Sequence, residues 1–255
     1  MQIQFSDRSF QYGDGVFTTI RIRHGQPELW ALHWQRLQLS MQRLGFAELT
    51  EDAVLSEVMT SINAQQQVLK VLISRGQGAR GYGSQGIIQP QLYCWTTELP
   101  DYTRVRSDGL RLGLAQLQLS KQPLLAGIKH CSRLETILLK REAEQSIYDD
   151  LVVSDQDGFL VEATASNLLM LVDQQWVTPA LMNAGVAGVM RQLLLDTGWV
   201  REQPVPVAAL AQVRSMALCN ALMGIVPVAA YAGCSLDLAP ARRLQTQVDE
   251  LLQER

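Results

Sequence analysis

The feature that most constrains the fold is a 22-residue stretch without a charged side chain, Ser215–Leu236. A stretch of this length could cross a membrane as one helix, for which about 20 apolar residues suffice. Residues that favour turns or weaken helices interrupt it, namely Asn220, Gly224, Pro227 and Gly233. The apolar runs Met216–Leu218 and Ile225–Ala230 lie on either side of the first interruption. We therefore predict two buried strands joined by a turn, and no membrane partner.

Charge and cysteine content exclude several classes of partner. Lys and Arg total 22 against 25 for Asp and Glu, and the resulting net charge of −3 offers no electrostatic footprint for nucleic acid. The four cysteines form no C-x-x-C pair and the three histidines are scattered, so neither a disulfide framework nor a metal site is predicted. Free thiols, and the early charges Asp7 and Arg8 where a secretory segment would be apolar, favour a cytoplasmic location.

Hydrophobic periodicity predicts interspersed helices and strands, and hence an α/β fold. The spacing of Trp30, Trp34 and Leu37 predicts a helix over residues 29–44 that ends at Gly45. Asp157-Gly158 predicts a tight hairpin. Strands are predicted at 68–74, 92–97, 110–115, 151–154, 159–162, 168–172 and 176–178. Further helices are predicted after Thr50, at 132–146 with Leu134, Ile137, Leu138 and Ala143 facing inward, at 188–197, and at 239–252.

Residues 76–81 match the glycine pattern G-x-G-x-x-G directly after a predicted strand. A dinucleotide-binding loop would also need a helix after the glycines, and Tyr82–Gly86 cannot form one. We interpret the segment as a mobile loop that presents Arg80. Its planar guanidinium suits a substrate carboxylate, although a solvated surface arginine is an open alternative.

Three further features are ambiguous singly but agree when taken together. Lys129 follows an apolar stretch at the start of a predicted helix, where burial favours the neutral, nucleophilic amine. Glu162 ends a predicted strand beside small residues, and a buried carboxylate needs a cationic partner. Gly185 and Gly188 precede a helix whose first N–H groups suit a phosphate. An amine for an aldehyde, an acid for a ring nitrogen and a phosphate site together predict pyridoxal 5′-phosphate.

Four blocks of sequence resemble the fold-type IV pyridoxal-phosphate enzymes. This family contains branched-chain and D-amino-acid aminotransferases and aminodeoxychorismate lyases. The blocks are Tyr12–Arg21, His33–Leu37, Gly127–His130 and Glu162–Arg191. The resemblance implies a two-domain α/β (α+β) fold with the cofactor in the cleft between the domains, and a homodimer. The implied domains are residues 1–108 and 122–255, joined by residues 109–121.

The resemblance also implies roles for single residues in cofactor binding. Lys129 corresponds to the lysine that forms a Schiff base with the cofactor, and Arg36 to the arginine that binds its phosphate. Glu162 corresponds to the acid that pairs with the pyridine nitrogen. Contacts to the phosphate are also implied for Val189, Met190, Asn220 and Ala221. Aminotransferase relatives carry a tyrosine five residues after the lysine, where this chain has Leu134, so its contact to the phenolic oxygen must be made otherwise or be absent.

Within the family, the sequence is most similar to the aminodeoxychorismate lyases. The resemblance rests on Thr18-Thr19, Arg133-Leu134-Glu135 and Cys219–Met223. Many aminotransferases carry Glu-Gly in place of the two threonines. An amino-acid aminotransferase on the same scaffold is one alternative, and a non-enzymatic binding protein that has kept the fold is the other.

The implied reaction converts 4-amino-4-deoxychorismate to 4-aminobenzoate and pyruvate, a step toward folate. Lys129 would act as the general base, and Thr19 would donate a proton to the departing group. Arg80 and Tyr12 are expected to bind the substrate.

Overall fold

The computed structural model describes residues 3–254, which form two compact units. The first unit contains the chain up to Pro100 together with the short segment Ile128–Arg133. The second contains Asp101–Gly127 and the chain from Leu134 onward. The segment that carries Lys129 therefore belongs to the first unit, although it lies in the middle of the sequence.

The first unit is built on a four-stranded antiparallel sheet. Its elements are helix α1 (Arg8–Tyr12), strands β1 (Gly15–Arg23) and β2 (Gln26–Pro27), helices α2 (Trp30–Leu44) and α3 (Glu51–Ser61), and strands β3 (Gln66–Ser74) and β4 (Gln91–Thr97). The strand order is β2-β1-β3-β4, and all neighbours are antiparallel. The predicted end of α2 is confirmed, since Gly45 has a φ of 65°, which glycine tolerates best.

One face of this sheet packs against α2 and α3. Along β1 the burial alternates, and Val16, Ile20 and Ile22 enter the core with apolar residues of both helices. Ile128 is 1% exposed and lies in the same core. This side chain anchors the segment Ile128–Arg133 in the first unit.

The second unit contains the rest of the described elements. They are α4 (Thr103–Asp108), β5 (Leu110–Leu114), α5 (Leu134–Glu144), β6 (Asp150–Ser154), β7 (Leu160–Ala163), β8 (Asn167–Val172), β9 (Gln175–Pro179), α6 (Val189–Asp196), β10 (Val200–Gln203), a 3₁₀ helix (Val207–Gln212), β11 (Met216–Asn220), β12 (Gly224–Tyr231), β13 (Cys234–Ser235) and α7 (Leu238–Gln253). The strands form one mixed sheet in the order β10-β9-β8-β11-β12-β5-β6-β7, with β13 beside β12.

The charge-free stretch folds as predicted. β11 and β12 pair as antiparallel strands in the interior of the second sheet, and Leu218 and Val226 are fully buried. Within residues 3–254, no helix combines the length and apolar character needed to cross a membrane. The hairpin at Asp157-Gly158 is also confirmed, because β6 and β7 are antiparallel and Gly158 has a φ of 78°.

The predicted inward face of α5 is wrong at three positions. Leu134, Ile137 and Leu138 are 75%, 60% and 50% exposed, and the buried residues are Leu139 and Ala143. This helix has apolar residues on two sides, and periodicity alone does not indicate which side meets the sheet. Of the predicted face, Ala143 alone is buried.

Candidate active site

Lys129 lies beside the first half of β1. The backbone N–H of Phe17 donates to the Lys129 carbonyl at 2.9 Å, and Val16 and His130 form an antiparallel bridge. Opposite residues of an antiparallel pair point to the same face, and the Lys129 Nζ lies 4.8 Å from the Phe17 ring centre. The lysine therefore projects from the sheet face that carries Phe17.

Thr19 and Lys70 share that face. Side chains alternate along a strand, so Thr19 points to the same side as Phe17, and the register places it opposite Lys70 of β3. The Lys70 Nζ lies 4.5 Å from the Phe17 ring centre. We call Phe17, Thr19, Lys70 and Lys129 the lysine face. Two amines lie 4.5 and 4.8 Å from the centre of one aromatic ring, and the Thr19 side chain shares their face.

Lys70 is a functional candidate that the sequence analysis missed. A signal was available, because Lys70 is the only charged residue in the apolar run Val68–Ile73. A charged residue in the interior strand of a sheet must reach water or a partner on the less buried face.

Thr18 points to the opposite side of β1 from Thr19 and is fully buried. The Arg36 Nη2 donates to the Thr18 Oγ1 at 2.5 Å, and the Nδ1 of His33 lies 2.6 Å from the same oxygen. Arg36 can only donate, and the buried hydroxyl proton needs an acceptor, so we assign the Thr18 O–H as donor to Nδ1. The His33 proton then resides on Nε2. We call these three residues the Thr18 triplet.

The electrostatic environment of the triplet keeps His33 neutral and Arg36 charged. Burial, together with the positive charges of Arg36 and Lys129, holds the pKa of His33 well below its usual value. Burial and the neighbouring Arg133 lower the pKa of Arg36 to about 10, which leaves the guanidinium charged at neutral pH. Positive charge thus accumulates near Arg36, and an anion such as a phosphate would be stabilised there.

In the second unit, Glu162 and Asn167 hold the segment that leads into α6. Glu162 lies on β7, is nearly fully buried, and accepts the N–H of Val186 at 2.9 Å. Asn167 begins β8, and its Nδ2 donates to the carbonyl of Val186 at 2.9 Å. Both backbone groups of Val186 are therefore fixed by side chains from neighbouring strands. The burial of Glu162 excludes a carboxylate that is solvated at the strand end.

Gly188 leaves the first turn of α6 without a side-chain cap. The residue stands at the N-cap, and a Cβ at this position would collide with the Oδ1 of Asn167. The first-turn N–H groups, which include those of Val189 and Met190, have no partner within the helix. They form the kind of helix N-terminus that binds phosphate groups.

The side chain of Asn220 builds the turn between β11 and β12. Its Oδ1 accepts the N–H groups of Leu222 and Met223 at 3.0 and 2.9 Å. Its Nδ2 donates to the Ala165 carbonyl and the Ser166 Oγ, both at 3.3 Å. Any ligand contact from the stretch Asn220-Ala221 would therefore come from backbone groups.

The glycine loop that carries Arg80 has no helix after it, as predicted, and Arg80 is exposed. Arg8 is almost fully buried and donates to three successive carbonyls of this loop. They belong to Gly81, Tyr82 and Gly83, at 3.2, 2.9 and 3.0 Å. The Tyr12 hydroxyl accepts the N–H of Gly81 at 3.1 Å. Tyr12 and Arg8 thus hold the segment directly after Arg80.

Asp14 links this loop to the end of α2. Its Oδ2 accepts from the Nε of Arg8 and from the Nε of Arg75, each at 2.7 Å. Arg75 in turn donates to the carbonyls of Leu44 and Gly45 at 2.8 Å each. The burial of these arginines could not be predicted from the sequence, because their partners are distant in the chain.

A family model described as amino-transferase class IV matches residues 15–231. The chain belongs to this family. Its predicted family membership and its mixed α/β fold are both confirmed.

Two lyases of the class IV family are similar to the chain over nearly its whole length. The aminodeoxychorismate lyase of Vibrio harveyi is 32% identical over 256 residues, covering 98% of this chain and 92% of the relative. The crystal structure of the 4-amino-4-deoxychorismate lyase from Pseudomonas aeruginosa gives a TM-score of 0.91 at 32% identity, with coverage of 100% and 95%. The Escherichia coli branched-chain amino acid aminotransferase gives a TM-score of 0.86 at 20% identity, with coverage of 98% and 89%, and shares the fold.

Proposed function

We propose that this protein is a pyridoxal-phosphate-dependent aminodeoxychorismate lyase of the cytoplasm, which converts 4-amino-4-deoxychorismate to 4-aminobenzoate and pyruvate for folate biosynthesis. The observation that carries the proposal is the presence of Thr19 and Lys129 on one face of β1. The lyase reaction needs one group to take a proton and another to give one. The 32% identity to a lyase over nearly the whole chain supports the same conclusion.

The donor set fits pyridoxal phosphate. The chain offers an amine at Lys129, a guanidinium at Arg36 in a positive environment, a buried carboxylate at Glu162 and the open N-terminus of α6. When bound, the cofactor supplies an electron sink for charge that develops next to the substrate nitrogen. We assign the covalent link to Lys129 and the pyridine nitrogen to Glu162. The phosphate is assigned to Arg36 and the first-turn amides of α6, with a backbone contact from Ala221.

Proton movement is assigned to the lysine face. The amine of Lys129 removes the proton from the substrate carbon that bears nitrogen. The carbon–oxygen bond to the enolpyruvyl group then breaks, and the Thr19 hydroxyl gives a proton to the methylene carbon of the departing group. Lys70 and Arg80 supply positive charge for the carboxylates of the substrate, and Tyr12 supports Arg80 through the backbone of Gly81.

Product analysis on two variants and one control variant tests this function. Thr19→Ala should lower release of 4-aminobenzoate by about 10²–10⁴-fold, the usual contribution of a positioned acid or base. The half-reaction with D- or L-alanine should be spared, because Lys129 alone can move the proton in that reaction. Lys129→Ala should abolish both activities and the borohydride-reducible link to the cofactor, whereas Lys140→Ala, at an exposed lysine of α5, should retain them. Failure of the parent protein to release 4-aminobenzoate, with turnover of an amino acid instead, would favour an aminotransferase.

We also propose that the protein is a homodimer. Leu134, Ile137 and Leu138 lie three and four residues apart on α5 and form one exposed apolar stripe. Exposed apolar surface of this kind is typical of a face that packs against another protein surface.

A further inference from the structure

Two members of the Thr18 triplet, Thr18 and His33, have no role in the proposed chemistry. Thr18 and His33 have no exposed surface, and Thr18 points away from the lysine face. Burying a hydroxyl and an imidazole among apolar side chains is unfavourable unless they make specific hydrogen bonds. The bonds they make meet at the Thr18 hydroxyl, which links the His33 ring to a single charged group, the guanidinium of Arg36.

We propose that Thr18 is a positioning residue that orients Arg36 toward the cofactor phosphate, with His33 as the neutral acceptor that fixes the Thr18 hydroxyl. This inference rests on the proposed function, in which Arg36 binds that phosphate. The adjacent residues Thr18 and Thr19 then have different roles. Thr19 moves a proton at the substrate, and Thr18 holds a binding group on the other side of the same strand.

The direction of the hydrogen bonds supports this role. The Arg36 Nη2 donates to Thr18, which leaves the other guanidinium N–H groups in a fixed plane. Because Thr18 donates its own proton to the Nδ1 of His33, its lone pairs remain available to Arg36. A protonated His33 would carry a hydrogen on Nδ1 and could not accept, so this chain of bonds requires the neutral ring.

The position of the groups on α2 also supports it. His33 and Arg36 are three residues apart and therefore lie on one face of the helix, toward β1. Thr18 stands between the apolar residues Val16 and Ile20 on that side of the strand. A valine at position 18 would keep the shape of the side chain and remove only the hydroxyl.

The affinities of two cofactor forms test the proposal. Pyridoxal phosphate and pyridoxal, which lacks the phosphate, are titrated into the apoprotein while absorbance is recorded. Thr18→Val should weaken binding of pyridoxal phosphate by about 10- to 100-fold, as expected for a lost hydrogen bond to a charged group. Pyridoxal affinity should change less than about threefold, and Thr18→Ser should restore tight binding of the phosphate form.

The outcomes separate this inference from the proposed function. Equal losses for pyridoxal phosphate and pyridoxal would show a general structural role and overturn the positioning role, as would unchanged affinity for both. A parent protein that binds no pyridoxal phosphate would overturn the proposed function itself. Where Thr18→Val does not fold, His33 provides the second test. His33→Asn keeps an acceptor near the position of Nδ1 and should bind pyridoxal phosphate like the parent. His33→Leu should lose affinity for pyridoxal phosphate but not for pyridoxal. A His33→Leu protein that binds pyridoxal phosphate like the parent would overturn the proposal.

Discussion

At the scale of single residues, the neutral state of His33 makes the stability of the folded chain depend on pH. Its ring is buried against two positive charges, Arg36 and Lys129, and its pKa is held well below the ordinary value of 6.5. In the unfolded chain the same ring takes up a proton as the pH falls below about 6.5. The folded state does not gain that proton, so acidification favours unfolding.

The pH dependence of stability should therefore differ between the parent and His33→Asn. The stabilising contribution of the neutral ring is complete above about pH 6.5 and is lost as the pH falls further. Between pH 6.5 and 5.5, the free energy of unfolding of the parent should fall more steeply than that of the variant, by up to about 1.4 kcal/mol per pH unit. Denaturant titrations at pH 7.5, 6.5 and 5.5 measure this difference. Parallel curves for the two proteins would contradict the neutral assignment.

At the scale of elements, the buried side chain of Arg8 determines the course of the glycine loop. It reaches from α1 to three carbonyls between Gly81 and Gly83, and Asp14 fixes its other edge. Hydrogen bonds to a charged group contribute about 1.5–3 kcal/mol each, so this loop should open far less often than an unattached glycine segment.

Trypsin cleavage after Arg80 should report the loss of this attachment. Arg8→Met keeps most of the apolar stem and removes every donor, so cleavage of the Arg80–Gly81 bond should accelerate by about tenfold or more. Arg104→Met serves as the matched control, since Arg104 is an exposed arginine whose side chain is 92% accessible. Mass spectrometry of timed digests identifies the site. Equal cleavage rates in Arg8→Met and in the control would refute the role of Arg8.

The elements that the sequence predicted correctly are determined by residues that lie close together in the chain. Gly45 at the end of α2 and Asp157-Gly158 between β6 and β7 act within a few residues, so they can be read from the sequence alone. The Arg8 contacts were missed because they join residues up to 75 positions apart. The face of α5 was mispredicted for a different reason, since its apolar residues occur on two sides and only one meets the sheet.

At the scale of the whole molecule, short sequence blocks predict the cofactor residues, and the fold determines what lies around them. The chemistry of Lys129 and Glu162 and the sequence blocks together predict cofactor roles for Lys129, Glu162 and Arg36, which periodicity alone could not rank above other charged residues. The structure adds what the blocks do not contain. It places Lys70 on the lysine face and the Thr18 triplet on the other side of β1.

Self-association should depend on the exposed stripe of α5. Leu138→Lys places a charge in the proposed dimer contact and should shift the protein toward monomer, with the dissociation constant raised by at least about tenfold. Leu39→Lys is the control, because Leu39 is a similarly exposed leucine on α2. Sedimentation velocity over a concentration series measures both. A Leu138→Lys variant that remains as dimeric as the control would exclude this stripe from the interface.

Because Thr18 and Thr19 are adjacent, the site depends on which face of β1 each of them occupies. A strand alternates its two sides at every residue, so inserting or deleting one residue upstream within β1 would exchange the two hydroxyls. Thr19, the proposed proton donor, would then enter the apolar core, and Thr18 would point to the face proposed to meet the substrate. Both threonines would remain in the sequence, and an alignment that tolerates a one-residue gap would score them as retained. Under the proposed roles, activity therefore depends as much on the length of the strand between Gly15 and Thr18 as on the identity of either side chain.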